Sequence, residues 1–349
     1  MLLQTKNQLY KERRRLSIEK KPIIFAIETS CDETAVSILK GHNELLSNLV
    51  VSQIDIHKDF GGVVPEIAAR KHVEFLYQLS LKAFEEAQIE PTQLNAIAVS
   101  YGPGLIGSLL IGTSFAKGMS LSLNLPLIGV NHLVGHIYAN FLDFPELKPP
   151  FVTLLVSGGH TMILLVKDYF DFEIIGETRD DAAGEAFDKV ARILNLEYPG
   201  GPIIDQIAKS GKSIYKFPKP LYNVGYDFSF SGLKTAVLYF VKDSRKAKIE
   251  DIAASFQEAI IDTLVHKVTK YALKSGIKDV VIAGGVASNS LLRKKLNTYR
   301  DELNIYYPQL KYCTDNAAMI ARAAYEKYKR NMFNDLDLDV EPNLGLSKV

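Results

Sequence analysis

The chain has 349 residues, enough for about two domains at roughly 150 residues each. Its 47% apolar and 23% charged residues are ordinary for a globular protein and exclude both a disordered chain and a disulfide-stapled miniprotein. The net charge of +1 excludes a dedicated nucleic-acid packaging protein.

The charge is unevenly spread. Residues 1–21 hold seven basic side chains (Lys6, Lys11, Arg13, Arg14, Arg15, Lys20 and Lys21) against Glu12 and Glu19, a net of +5 that leaves −4 for the rest. A polyanion bound by the body must therefore meet a local basic patch or a partner protein. The segment has no secretory-type apolar core and its glutamates argue against an organelle transit peptide. It reads as a basic N-terminal arm, or as sequence ahead of a later start. Cys31 and Cys313 lie far apart with no CxxC spacing, which predicts reduced thiols and a cytoplasmic protein.

Pro22–Leu39 reads as a strand, a polar turn and a second strand. Gly61–Pro65 is a loop, and Glu66–Ala87 repeats apolar residues at helical spacing. Asn95–Ser100 is a buried strand, stopped by Gly102-Pro103-Gly104. Leu105–Val130 comes nearest to a membrane span, but its glycines, serines, Lys117 and Pro126 favour a buried helix followed by a strand. His132–Phe141 reads as a helix. Pro149-Pro150 is the best boundary, because the pattern then restarts: FVTLLVS, a Gly158-Gly159 turn, and HTMILLV. Asp181–Leu194 is a helix, Tyr198–Pro202 a rigid loop opening another helix at Ile203, and residues 210–232 are loop-rich. Ile249–Ser275 is a long helix, Asp279–Ala283 a strand, Gly284-Gly285 a turn into a helix at about Ala287, and Asp315–Arg330 the last helix. Strands alternating with helices predict an α/β protein. Two halves that each open on a hairpin suggest the layout of the actin, Hsp70 and sugar kinase superfamily.

Several residues suit chemistry. His132 and His136 in NHLVGHIY share a helix face at i,i+4, where two imidazoles can meet one metal. Two ordinary helix histidines have the same spacing, and Leu133 stands where a zinc protease has its glutamate. A third ligand is needed, and Asp315 serves either as that ligand or as a helix N-cap. Ser157-Gly158-Gly159-His160 can turn backbone N–H groups to a phosphate, or simply close a hairpin. Gly284–Asn289 leads from a strand to a helix N-terminus, which suits a nucleotide or close packing. Asp188 and Asp205 can hold ribose hydroxyls or be solvated helix carboxylates. Asp32 and Glu33 can orient a substrate or act as base, or sit in a plain polar turn. All lie at strand ends or the helix starts that follow, where open α/β sheets bind ligands.

These motifs, in order, resemble one family. They are IETSCDETAV from Ile27, GGVVPEIAARKH from Gly61, YGPGLIGSLLIG from Tyr101, NHLVGHI from Asn131 and LLVSGGHT from Leu154. DDAAGEAFDKVAR from Asp180, YPGGPIID from Tyr198, FSFSGLKTAV from Phe228, AGGVASNSLLR from Ala283 and CTDNAAMIA from Cys313 complete the set. From Ile23 to Asn343 the chain resembles the TsaD family, the tRNA adenosine threonylcarbamoyltransferases, in its bacterial-type form. The resemblance implies a two-lobed actin/Hsp70-like (ASKHA) α/β fold with duplicated ribonuclease-H-like lobes and the site in the cleft. It implies lobe I at 22–150, lobe II at 151–312, and a C-terminal helix at 313–349 that brings back the third metal ligand, and it leaves the basic N-terminal arm at 1–21 outside the pattern.

His132, His136 and Asp315 match the family's metal ligands, implying one divalent metal, Fe(II), with Zn as the alternative. Leu155, Val156, Ser157, Gly158 and Gly159 match its substrate loop, and Asp188, Gly201, Asp205 and Asn289 its nucleoside contacts. Archaeal and eukaryotic members tend to carry a tyrosine where this chain has Leu155, which cannot ligate. The implied reaction moves the threonylcarbamoyl group from L-threonylcarbamoyl-adenylate to N6 of adenosine 37 in tRNAs reading ANN codons, releasing AMP. Asp32 and Glu33 are the candidate catalytic groups. The implied partners are tRNA, an inactive TsaB-type paralogue and a TsaE-type P-loop ATPase, with no membrane. Basic contacts for tRNA are sought in the arm, Arg70-Lys71 and Arg293-Lys294-Lys295. The rival readings are a nucleotide-binding scaffold of the modifying complex, an ATPase or kinase of the superfamily, and a metalloprotease.

Overall fold

The computed structural model describes residues 21–346 apart from Arg245. The basic arm expected at residues 1–21 lies, but for Lys21, outside the described residues. The chain divides into two compact units. One holds the residues up to Gln53, Val64–Pro145 and those from Asp315 onward; the other holds Ile54–Val63 and Glu146–Thr314.

The first unit opens with β1 (Ile23–Glu28), β2 (Glu33–Lys40) and β3 (Glu44–Ser52), an antiparallel meander. Helix α1 (Pro65–Ala87) follows, with Pro65 at its first position, where a missing N–H costs nothing. Then come β4 (Ala96–Gly102), α2 (Ile106–Leu123), β5 (Leu127–Asn131) and the short α3 (His132–Tyr138). β4 and β5 add in parallel beside β1, giving the order β3-β2-β1-β4-β5. A core of Phe25, Ile27, Val36, Ile38, Leu76 and Leu79 joins the sheet to α1.

The second unit has β6 (Phe151–Val156), β7 (Thr161–Asp168), β8 (Asp171–Glu177), α4 (Ala183–Ile193), α5 (Gly200–Ala208) and α6 (Ser231–Asp243). α7 (Ile249–Ser275), β9 (Asp279–Ala283), α8 (Ser290–Asn297) and β10 (Asn304–Tyr306) complete it. Its sheet order is β10-β9-β6-β7-β8. Counted from β6, every pairing and direction repeats that of the first sheet: two antiparallel neighbours on one side, two parallel on the other. Most of α7 is buried; its Phe256, Ile260 and Leu264 pack with Phe187, Val280 and Leu292 into one core. The loop at residues 57–62 is tied here by the Arg192 guanidinium, which donates to the Gly61 carbonyl. The chain then returns to the first unit as α9 (Ala317–Arg330), packed on β1 and α3.

Some boundaries differ from the sequence reading. The expected rigid loop at Tyr198–Pro202 is already helical from Gly200, because Asp188 accepts its N–H at 2.8 Å and Pro202 falls in the first turn. The helix expected at Ala287 is a 3₁₀ turn, Gly285–Ser288, and α8 begins only after the Asn289 cap. α2 is not the buried helix expected. It is long and apolar enough to span a membrane by composition, yet a third of it is buried, and Ile106, Leu110 and Leu121 are exposed.

Candidate functional site: a histidine–aspartate trio and a glycine turn

In the first unit, β5 runs straight into α3. Asn131 closes the strand and caps the helix, its Oδ1 accepting from Leu133 N–H at 2.8 Å. His132 and His136 therefore point from one face of a seven-residue helix, ring centroids 4.7 Å apart and nearly perpendicular. Gly135 lies between them. A Cβ there would come within 2.8 Å of Ile320, so glycine lets α3 approach α9 closely.

That approach delivers Asp315. Its Oδ1 lies 3.1 Å from His136 Nε2 and 3.6 Å from His132 Nε2. The N-cap of α9 is Asn316, whose Oδ1 accepts from Met319 N–H at 3.1 Å, so the capping role that competed for Asp315 belongs to its neighbour. One ligand atom from each of the three residues lies within 4.8 Å of the others. Two imidazoles and a carboxylate fit a zinc or iron(II) ion with open positions, at roughly 2.0–2.2 Å per bond.

The electrostatics are those of a cation site. Burial lowers the His132 pKa, but the Glu28 and Asp315 carboxylates more than reverse it, pushing it up to about 9. Burial raises Asp315, and His132 and His136 bring it down to about 2. The turn after β1 adds more acid. Burial, then Asp315 and Asp32, hold the Glu33 carboxyl well above the usual range, while Ser52 Oγ donates to it at 3.3 Å. Burial and the same carboxylates push the Cys31 thiol up, which keeps it a thiol rather than a nucleophile. His72 pins this turn: its Nε2 donates to the Cys31 carbonyl at 2.9 Å and its Nδ1 lies 2.8 Å from Thr34 Oγ1. The structure thus brings Glu33 into the electrostatic reach of Asp315, with Asp32 beside Glu33.

In the second unit the Ser157–His160 turn joins β6 to β7. Ser157 N–H donates to the His160 carbonyl at 2.8 Å, and Ser157 and Gly158 carbonyls accept from Gly184 and Glu185 at the start of α4. Gly158 and Gly159 are exposed, and nothing approaches where their Cβ atoms would be. Of the five loop residues expected to bind substrate, Leu155 and Val156 are buried in β6. Their side chains serve the core, which leaves Ser157, Gly158 and Gly159 accessible. Gly284 closes the turn's base: its φ is +89° and a Cβ would lie 2.4 Å from the Val156 carbonyl oxygen.

Asp188 accepts from Gly200 N–H, beside the open Gly201. Asp205 takes Ser290 Oγ at 2.8 Å and Ser290 N–H at 3.2 Å, and Asn289 caps α8 while donating to Gln257. Each of these polar residues therefore fixes a helix start, and Asp205 and Asn289 are brought together through Ser290.

Of the basic residues proposed for tRNA, Arg293 is spent internally on the Ala287 and Pro308 carbonyls, at 2.7 and 2.8 Å. Lys295 is paired with Glu258 and Asp262. Lys294 and Arg70 are exposed, and Lys71 pairs with Glu74.

Two polar side chains packed around these residues escape the sequence reading: Glu28, against His132 Nδ1, and His72, against the Cys31 carbonyl. An acidic residue closing the apolar strand IIFAI is the available signal for the first.

A duplicated actin/Hsp70-like α/β fold with a buried histidine–aspartate trio defines the class. HypF of T. kodakarensis shares the fold at a TM-score of 0.61 and 17% identity, over 88% of this chain and 48% of that one. (R)-2-hydroxyglutaryl-CoA dehydratase component A of Acidaminococcus fermentans shares it at 0.54 and 17%, over 88% of this chain and 99% of that one. The family model "TsaD: tRNA N6-adenosine threonylcarbamoyltransferase" matches residues 44–322. Proteins of that name from Kosmotoga olearia and Thermosipho africanus are 55% and 56% identical, over 93% of this chain and 98% and 100% of theirs. The chain belongs to the TsaD family of tRNA N6-adenosine threonylcarbamoyltransferases.

Proposed function

We propose that this chain transfers the threonylcarbamoyl group of L-threonylcarbamoyl-adenylate to N6 of adenosine 37 in tRNAs that read ANN codons, releasing AMP. The observation that carries this reading is the intact His132, His136 and Asp315 trio in a chain matched over most of its length by transferases of that name. A plain ATPase or kinase leaves the trio idle.

His132, His136 and Asp315 hold one divalent ion, with Fe(II) as our assignment and Zn as the alternative. When bound, it supplies a Lewis acid for charge developing on carbonyl or phosphate oxygens. Gly158 and Gly159 offer backbone N–H groups to the phosphate, with the Ser157 hydroxyl beside them. Asp188, Asp205 and Asn289, with the open Gly201, hold the nucleoside. As N6 bonds to the carbamoyl carbon and the anhydride C–O bond breaks, the amine must lose a proton. Glu33, with its raised pKa, and Asp32 are the acceptors we assign. An exocyclic amine is a poor nucleophile, so positioning supplies much of the rate.

The partners are tRNA, a TsaB-type paralogue and a TsaE-type ATPase, in the cytoplasm. Val73, Tyr77 and Leu81 form an exposed stripe at i,i+4,i+8 on α1, and α2 exposes Ile106 and Leu110 one turn apart. These suit the paralogue, since contiguous exposed apolar surface marks protein contacts.

The test is mass spectrometry of nucleosides from ANN-decoding tRNA incubated with the protein, its partners and threonylcarbamoyl-adenylate, beside His132→Ala. Threonylcarbamoyladenosine formed by wild type and reduced at least about a hundredfold in the variant is the expected result. None formed, with partners proven on a known transferase, moves the reading to a nucleotide-binding scaffold.

A further inference from the structure

Glu28 is the last residue of β1, and its side chain is shut off from solvent. A buried carboxylate is retained only where donors satisfy it. Here each oxygen has its own: Oε1 accepts from Ser30 N–H at 2.5 Å, and Oε2 lies 3.0 Å from His132 Nδ1. Ser30 Oγ stands 3.0 Å from the same nitrogen. With Oε1 taking the Ser30 N–H, Oε2 is placed to accept a hydrogen from His132 Nδ1. Nε2, the nitrogen that faces Asp315, is then the one a metal can take once it displaces the proton there.

We infer that Glu28 is a positioning residue that fixes the tautomer and ring orientation of His132, so that Nε2 is presented to the ion. This rests on the metal reading of His132, His136 and Asp315 given above. The two histidines are set by different means. Among the described residues nothing accepts from His136 Nδ1, and that ring is held by packing, 1% exposed in α3. His132, at the helix start, needs the carboxylate. Residue 28 must also be a carboxylate rather than an amide. Two N–H donors converge on it, and glutamine offers one acceptor while turning its NH₂ against the other donor.

The test uses the full chain and Zn(II) alone. Zn(II) affinity is measured at one pH by competition with a chromophoric chelator, for wild type, Glu28→Gln and His132→Ala. The histidine side-chain ¹⁵N resonances of the Zn(II)-loaded proteins are recorded beside it. Wild type should bind one Zn(II), with His132 protonated at Nδ1 and metallated at Nε2. Glu28→Gln should bind about 10–100-fold more weakly and lose the uniform Nδ1–H signature, and His132→Ala should weaken binding further. Wild-type affinity and signature in Glu28→Gln would overturn the inference while leaving the metal site standing. So would Zn(II) on Nδ1 of His132 in wild type, a result that needs no variant to fold. Absence of any stoichiometric Zn(II) site that His132→Ala abolishes would instead overturn the metal reading, and this inference with it.

Discussion

The two sheets repeat one topology, yet the turns at their equivalent hairpins are opposites. The turn between β1 and β2 carries Cys31 and Asp32 behind Glu28, Glu33 opens β2 beside them, and Cys31 and Glu33 stand in the field of Asp315. The turn between β6 and β7 is Ser157-Gly158-Gly159-His160, with open backbone and no acid. A duplicated scaffold has thus been given one hairpin that gathers negative charge around two histidines and another stripped to backbone. The first gathers the negative charge that attracts a cation, and the second offers the open backbone that suits an anionic group. The difference lies wholly in turn chemistry, since strand order, direction and pairing are shared.

The largest expected effect separates two glycines of the second turn region. Gly284→Ala puts a Cβ on the Val156 carbonyl at a left-handed φ, so it should destabilise by about 3 kcal/mol. Gly158→Ala meets open space and should leave stability within about 0.5 kcal/mol. Urea denaturation reads both. If Gly158→Ala is stable but has weakened binding of the adenylate, the open backbone serves the anion. If binding is untouched, the turn is only a hairpin and the contrast between the two sites loses one side.

The cation side can be broken by pH. His132 carries a proton up to about pH 9 in the metal-free protein, and a metal must displace it. Affinity for Zn(II) should therefore fall about tenfold per pH unit below 9. Folding responds the other way. Because the His132 pKa is raised from its ordinary 6.5, its contribution to stability is whole below pH 6.5 and is lost as pH climbs through 9. Asp315, lowered from 3.8 to about 2, adds stability above pH 3.8 that is lost as pH falls towards 2. Chelator-treated protein should melt at a lower temperature at about pH 9.5 than at about pH 6. Buried Lys327, lowered to about 8, works the other way, so the comparison is with His132→Ala: the same pH dependence in that variant would mean that His132 is not held between Glu28 and Asp315.

Much of this is legible in the residues. The hairpins, the long helix Ile249–Ser275 and the strand Asp279–Ala283 follow from apolar runs with clear ends. β3 and β8 are not, because they lie at one edge of their sheets and are half exposed, so ELLSNLVVS and DFEIIGE carry weak alternation. The start of α9 is obscured by the row Asp315-Asn316: both residues favour an N-cap, and only the backbone decides which one takes it. The i,i+4 histidines announce a site. Its completion by Glu28 depends on a contact spanning 104 positions, which no local pattern encodes.

The smallest effect concerns how each unit meets tRNA. Basic runs look alike in sequence, but Lys295 is consumed by Glu258 and Asp262, and Arg293 by backbone carbonyls. Exposed Lys294 and Arg70 keep their charge for solvent or phosphate. Removing a lysine or arginine that neutralises one phosphate should lower the salt slope of tRNA binding by about one. Lys295→Ala should leave the slope unchanged, while weakening the protein because it takes the lysine from Glu258 and leaves Asp262 with Lys219 alone. Arg70→Ala and Lys294→Ala, measured from low to moderate salt, then show which unit meets the tRNA backbone: a drop confined to Arg70→Ala assigns that role to the unit with the histidine–aspartate trio, and one confined to Lys294→Ala assigns it to the unit with the glycine turn.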